Sequence, residues 1–525
     1  MDAAPNTARN TLPTVLVLLA LGMAMMVSNR WFTFMDDEIA ILQDALVPIP
    51  QTVHSFLDGT GLHRHPPLYD LLLAGWLRLT GARVSLLRVP ATTFYLFGLW
   101  FTVQATGLIA GAAASRAALW IGVVFPYGFH FGRIAGWYSF SFFTLALLTF
   151  AYLWLEAKPA SGRWVLLVVA CELAVYTNYF VAVLIGLLAL DYWLRHRGDS
   201  KRMAAAAATL VVILLGFLPL LRALLFRLFA DQGILRPAYS ALATIFFCGY
   251  NVYTLFVSES VAPWFWYFSI PALAAIVFCS VLILRHGPPA ARRLFLSFLV
   301  CSLAMTLLNL LNTKRLLFLS PWLLISLAAM LGSLRRPALR KGAILALGLV
   351  GGIGWFGILS RHYYAAPRLI EPWQPVALEA AQQVKKDAVV IGNNPSFFFY
   401  LTDALRSSGN PASSDFVGTY PVYLKHPRLF DTNQWLEAGK IYAPTTMLVK
   451  GAADESYWGT TAATEQVLEE SCRLEGVERK LPDTGIALKQ RWFADARQPS
   501  WRIEVRTYHC PEATLSAAAL HEELK

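Results

Sequence analysis

Between Thr11 and Ser360 the chain repeats one pattern: an apolar run of up to about 20 residues, then a short polar connection. The runs lie at Thr11–Asn29 and at about 88–110, 117–132, 138–155, 164–182, 183–194, 204–225, 263–284, 294–312, 316–334 and 342–360. A helix needs about 20 apolar residues to cross the hydrocarbon core of a bilayer, so this pattern predicts about 11 spans, some of them short. Two apolar stretches are read differently. Pro66–Gly81 is short and carries Asp70 and Arg78, which suits a helix lying in the interface. Ala241–Val257 is read as an interfacial or re-entrant element, because a crossing there would invert the charge bias of every later loop.

Near Tyr364 the pattern changes. Pro, Gly, Asn and charged residues become frequent. Gln374–Lys386 has the periodicity of an amphipathic helix, and Ala388–Ile391, Met447–Val449 and Ile503–Val505 read as strands. The fold class expected is an α-helical polytopic membrane protein over residues 1–363, with a polar acidic loop at 31–87, followed by a soluble α/β domain at 364–525.

Composition supports the membrane reading and changes what the charge means. Of 525 residues, 56% are hydrophobic and only 15% charged, with a mean hydropathy of +0.49. A soluble domain is about 25% charged. The net charge of +11 could suggest nucleic acid, but its distribution does not. Met1–Arg361 holds 27 Lys and Arg against 13 Asp and Glu, and the remainder holds 17 against 20. The excess lies in alternate connections: Arg116; Lys158 and Arg163; Arg195, Arg197, Lys201 and Arg202; Arg285, Arg292 and Arg293; Arg335, Arg336, Arg340 and Lys341. That is how inner loops are marked, so the N-terminus is placed inside and the C-terminal domain outside, periplasmic if the cell is bacterial. An outer domain makes a disulfide between Cys472 and Cys510 chemically available. Cys171, Cys248, Cys279 and Cys301 lie in or near apolar runs without metal-ligand spacing and read as small hydrophobes.

The candidate chemistry gathers in the 31–87 loop. Six of the 13 acids of the membrane part fall between Asp36 and Asp70. Charge beside a bilayer is costly and tends to be functional. A helix starting at Asp36 would put Asp37, Ile41 and Asp44 on one face, and its first amides would favour ionised carboxylates. An ionised, positioned carboxylate can act as a general base toward a hydroxyl, or hold a divalent metal. The alternative is that Asp36 only caps the helix and Glu38 faces water. His63, Arg64 and His65 follow before Pro66 and Pro67. They could donate to a phosphate, and the two histidines could ligate a metal with nearby acids. Arg133, Lys314 and Arg315 lie at outer ends of spans, where positive charge is disfavoured, so they are candidates for an anion such as a lipid phosphate.

The ordered segments DDEIA, HRHPPLYDLLLAGWLRLTG and SLLRVPATTFYLFGLW, then FPYGFHFGRIAGWYSF, LAVYTNYF and NTKRLLFLSPWLLI, resemble the GT-C glycosyltransferases related to protein O-mannosyltransferases and the lipid A aminoarabinose transferase. The resemblance covers roughly residues 12–335 and leaves the C-terminal domain unmatched. It implies a GT-C fold and transfer of a sugar from a polyprenyl-phosphate-linked donor to a lipid, glycan or protein acceptor on the outer face, with inversion at the sugar carbon. It also implies Asp37 as the catalytic carboxylate with Glu38 as its partner, and His65, Arg133, Lys314 and Arg315 facing the donor phosphate. Asp36 and His63 remain as further substrate or metal positions. Many relatives have Gly-Arg-Glu-Ala-Arg where this chain reads Gly132-Arg133-Ile134-Ala135-Gly136, so only Arg133 carries over, and Asn178 stands where relatives often have His. No cofactor is required by these motifs, and a divalent metal stays open. The competing reading is a lipid or solute transporter. The concentration of acids in one loop and the lack of an internal repeat argue against it.

Overall fold

The computed structural model describes residues 11–34, 36–57, 65–81, 86–229, 241–307, 313–365, 370–409, 413–416, 422–438, 441–451, 460–482 and 501–511. The chain forms two compact units, one of Met1–Asn29 with Asp44–Ser360, the other of Arg30–Gln43 with Arg361–Lys525.

The N-terminal apolar run forms α1 (Thr11–Val27). The polar loop expected at 31–87 is itself largely helical, with α2 (Asp36–Leu46), α3 (Ile49–Leu57) and α4 (Leu68–Thr80). α4 forms the helix read within Pro66–Gly81 and ends at Gly81, which has a φ of 71° that favours glycine. The bundle continues through α5 (Val89–Val124), α6 (Pro126–Phe131), α7 (Trp137–Ala157), α8 (Ser161–Val175), α9 (Val181–His196) and α10 (Ser200–Phe229). It closes with α11 (Ala241–Val257), α12 (Trp266–His286), α13 (Pro289–Leu307), α14 (Ser320–Ser333) and α15 (Pro337–Ser360). Each of the apolar runs carries a helix or part of one. Seven helices among the described residues are long and apolar enough to cross a membrane, and Leu12–Val27 and Ile245–Val257 are shorter apolar helices.

The 36 residues of α5 are two arms, not one rod. Gly111 has φ 76° and ψ −174°, outside the helical region. The Tyr95 hydroxyl reaches the Gly122 carbonyl at 3.5 Å and the Ser115 hydroxyl donates to the Val103 carbonyl at 3.0 Å. A straight helix rises about 1.5 Å per residue, so residues 27 apart would lie about 40 Å apart. The chain therefore folds back at Gly111, which is why the sequence shows two apolar runs here.

α5, α7 and α14 form the centre of the bundle. Gly98 lets α5 approach α7, since a Cβ there would overlap the Phe142 ring. Nearly all of α14 is buried, and Trp322 donates its indole N–H to the Thr149 hydroxyl at 2.8 Å. The buried hydroxyls of Thr102, Thr106 and Thr149 bond back to carbonyls one turn earlier, which satisfies them without water.

In the second unit, α16 (Trp373–Val384), α17 (Pro395–Ser407), α18 (Thr432–Glu437) and α19 (Thr460–Ser471) accompany seven strands among the described residues. These are β1 (Val389–Gly392), β2 (Ser413–Phe416), β3 (Val422–Lys425), β4 (Leu429–Asp431), β5 (Thr445–Gly451), β6 (Arg473–Pro482) and β7 (Trp501–His509). The main sheet has the order β4-β1-β5-β7-β6, with β1 parallel to β4 and β5, and β7 antiparallel to β5 and β6. β2 and β3 form a separate antiparallel pair. One face carries Val389, Ile391, Leu448 and Tyr508 against Trp435 of α18 and Leu468 of α19. Toward the β6 edge the same face turns ionic. Glu504, 1% exposed, receives Lys450 at 3.0 Å, Arg479 at 2.8 Å and Arg506 at 2.7 Å. Burial alone would raise the pKa of Glu504, but the three cations hold it down at about 2. Cys472, just before β6, and Cys510, just after β7, form a disulfide. Cys171, Cys279 and Cys301 are buried as expected, whereas Cys248 is half-buried.

Candidate functional site

The carboxylates lead the site. α2 begins at Asp36, where the sequence placed the helix start, so Asp36, Asp37 and Glu38 occupy its first turn. Asp37 is half-buried. Glu38 is 2% exposed, so the bland reading in which it faces water is incorrect. Asp36 begins the helix, but its side chain is outside the described residues, as are His63 and Arg64. The segment before α2 is held within its own unit. The Phe34 N–H donates to the Tyr400 hydroxyl at 2.9 Å, and the Ser396 hydroxyl donates to the Phe34 carbonyl at 2.9 Å. The Thr33 hydroxyl donates to the Glu371 carbonyl, and Arg361 donates to the Trp31 carbonyl at 2.6 Å.

The cationic candidates belong to the bundle unit. His65 is half-buried, and its ring lies 4.5 Å from that of Trp137. Arg133 follows α6 and is 1% exposed. Its Nε donates to the Phe129 carbonyl at 2.9 Å. One terminal nitrogen donates to the Met25 carbonyl at 3.1 Å and to the Ser28 hydroxyl at 2.6 Å. A cation at carbonyls ending a helix meets the negative end of its dipole. Arg133 thus fixes the end of α1, the helix that precedes the acidic segment in sequence. Its turn is shaped by glycine, since a Cβ on Gly128 would overlap the Tyr95 hydroxyl. Lys314 and Arg315 begin the short 3-10 helix Thr313–Leu319 that leads into α14, and both are half-buried.

Polar residues that the sequence did not single out support Thr313, the residue before that pair. Glu259 is 8% exposed and accepts a hydrogen bond from the Thr313 hydroxyl. The Tyr127 hydroxyl donates to the Thr313 carbonyl. The residue before Lys314 is therefore held by both its backbone and its side chain. Next to Glu259, Ser258 ends α11 in the left-handed region with φ 68°, and its hydroxyl lies 2.7 Å from Nδ1 of the buried His130. Asp70 and Arg88 are also buried. A lone acid in an apolar connection is the sequence signal for Glu259, weaker than the dense acid cluster at 36–70. Among the described residues no three His, Cys, Asp or Glu side chains gather as a metal site requires.

No family model and no curated protein matches the chain. Among solved structures it is similar to ArnT from Cupriavidus metallidurans in the apo state, at 13% identity and a TM-score of 0.49, over 94% of this chain and 97% of that one. It is similar to the same protein bound to undecaprenyl phosphate, at 12% identity and a TM-score of 0.37, over 95% and 98%. It is also similar to the Archaeoglobus fulgidus oligosaccharyltransferase in complex with Zn and sulfate, at 12% identity and a TM-score of 0.42, over 85% and 69%.

Proposed function

We propose that this chain is an integral membrane glycosyltransferase of the GT-C kind, moving a sugar from a polyprenyl-phosphate-linked donor to a lipid, glycan or protein acceptor. The observation that carries the reading is the start of α2, where three carboxylates follow the first apolar helix and fill one helical turn, with Glu38 buried and Asp37 partly accessible. The ordered sequence motifs supply the reaction class.

In the proposed reaction an acceptor hydroxyl or amine attacks the anomeric carbon of the sugar. The new bond forms as the bond from that carbon to the phosphate oxygen breaks, and the electron pair leaves with the polyprenyl phosphate. Attack opposite the leaving group inverts the configuration. Asp37 takes the proton of the incoming nucleophile, and Glu38, buried in the same turn, orients the helix start. General base assistance is typically worth 10²–10⁴-fold. The leaving phosphate accumulates negative charge, which His65, Lys314 and Arg315 would stabilise directly and Arg133, buried on Phe129, Met25 and Ser28, would stabilise only through its field. In a partly dehydrated site this contribution is usually the larger. The Cys472–Cys510 disulfide supports an oxidising compartment for the C-terminal domain, in keeping with the loop charges, and hence a periplasmic domain on a bacterial inner membrane.

The test is transfer by the purified protein from radiolabelled polyprenyl-phosphate sugars to envelope lipid, glycan and protein fractions. Asp37→Asn is expected to lower transfer at least 10²-fold while donor binding persists. Full activity of that variant removes Asp37 as the base. Movement of the donor across vesicles without transfer would make the protein a transporter.

A further inference from the structure

We infer that the C-terminal domain is a positioning device for the acid-bearing helix, acting through a clamp on Phe34 made by Ser396 and Tyr400. The inference rests on the reading of Asp37 as the base and gives the domain a role in that same reaction.

The two clamping residues are four apart on α17, so they share one face of the helix. One donates to the Phe34 carbonyl and the other accepts from the Phe34 N–H, both at 2.9 Å. Every polar group of the Phe34 backbone is thereby bonded to one turn of one helix. The Phe34 ring lies 5.3 Å from that of Phe399 and 6.0 Å, edge-on, from that of Tyr400. Phe32, Thr33 and Phe34 are buried. α17 itself is fixed at this end, because Asn394 accepts from the Phe397 N–H as its cap and Pro395 presets the first turn. Asn393 secures the connection from β1 by accepting from the Gly451 N–H at 3.0 Å and donating to Thr461 at 3.1 Å. The chain of fixed parts thus runs from the sheet through α17 to Phe34, three residues before Asp37. The contacts from Ser396 and Tyr400 fall on the main chain of Phe34, in the segment that leads into α2. A catalytic group displaced by about 1 Å can lose about 10²-fold in rate, so the cost of releasing the clamp should fall on turnover rather than on donor binding.

Hydrogen exchange of residues 31–38, read to the Phe34 amide, tests the clamp in the full-length protein without any ligand. Tyr400→Phe is expected to speed exchange at Phe34 at least tenfold, and adding Ser396→Ala to speed it further, while Ser396→Thr keeps the wild-type rate. With whichever labelled polyprenyl-phosphate sugar supports transfer in the assay above, kcat of Tyr400→Phe/Ser396→Ala should fall 10- to 100-fold, with donor KM within twofold of wild type. An intact Cys472–Cys510 disulfide and an unchanged melting temperature show that the domain remains folded. If the double variant fails that check, Tyr400→Phe, which keeps the ring, decides the matter alone. Unchanged exchange at Phe34 overturns the clamp, and faster exchange with unchanged kcat overturns its positioning role. Asp37→Asn is assayed in parallel. If it is active while the clamp variants open the segment, the assignment of the base has failed and the clamp has not.

Discussion

At the scale of the residue, two of the candidate charged groups share an arrangement: each is introduced by a neighbour whose backbone is tied down. Phe34 is held at both its N–H and its carbonyl, ahead of Asp37. Thr313 is held at its carbonyl by Tyr127 and at its hydroxyl by Glu259, ahead of Lys314 and Arg315. A hydrogen bond to a charged group is worth about 1.5–3 kcal/mol, so Thr313→Val should loosen the cationic pair without removing either charge. The expected outcome is a donor KM raised about tenfold, the equivalent of about 1.4 kcal/mol, with a smaller change in kcat. Steady-state kinetics over a range of donor concentrations checks it. An unchanged KM would mean that the Glu259–Thr313 bond serves only the packing of α11. The carboxylates at the start of α2 were legible in the sequence because charge stands out in an apolar chain. Glu259 was not, because a single acid gives no pattern and Thr313, which donates to it, lies 54 residues away in sequence.

At the scale of the element, helices were legible wherever hydrophobicity alone sets them. The start of α2 at Asp36 and the placing of α4 followed from local chemistry. The two runs at 88–110 and 117–132 anticipated the reversal at Gly111. The C-terminal domain was read less completely. α16 and the three strands β1, β5 and β7 were legible, while α17 was not, because its buried residues run unbroken from Pro395 to Thr402, and β6 was not, because it is mostly exposed and charged and is defined by its pairing with β7. Glycine marks where elements approach most closely. Gly128 lies in α6 against Tyr95 of α5, and the added methyl of Gly128→Ala would overlap the tyrosine hydroxyl. Overpacking of this kind costs about 1–3 kcal/mol. The variant should therefore unfold at a lower temperature than wild type in detergent, and adding Tyr95→Phe should recover part of the loss.

At the scale of the whole molecule, hydropathy divides the chain near residue 363, but its contacts divide it differently. Residues 30–43 group with the C-terminal domain, although the sequence places them between two membrane-side segments. Nothing in the local composition of this segment could reveal that, since it depends on α17. Stability of that domain leans on the Cys472–Cys510 disulfide, which spans 38 residues. A loop of that length gives an entropic contribution of about 4 kcal/mol in the chain-closure model. Replacing both cysteines by serine should lower the melting temperature of the domain and expose it to trypsin, and treating wild type with a reductant should reproduce the effect. An unaltered melt would show that the sheet is sufficient without the crosslink.

The grouping of residues 30–43 with the domain also has a meaning in time. The partners of Thr33 and Phe34 lie 338 to 366 residues further along the chain. At a synthesis rate of about 5–20 residues per second, the acidic segment exists for roughly 20–70 s before α17 has been made. A ribosome that stops between Ser360 and Ser396 therefore leaves the apolar helices made while Phe34 still lacks its partners on α17. On the proposed role of the clamp, such a copy would carry the carboxylates of α2 without the contacts that position them.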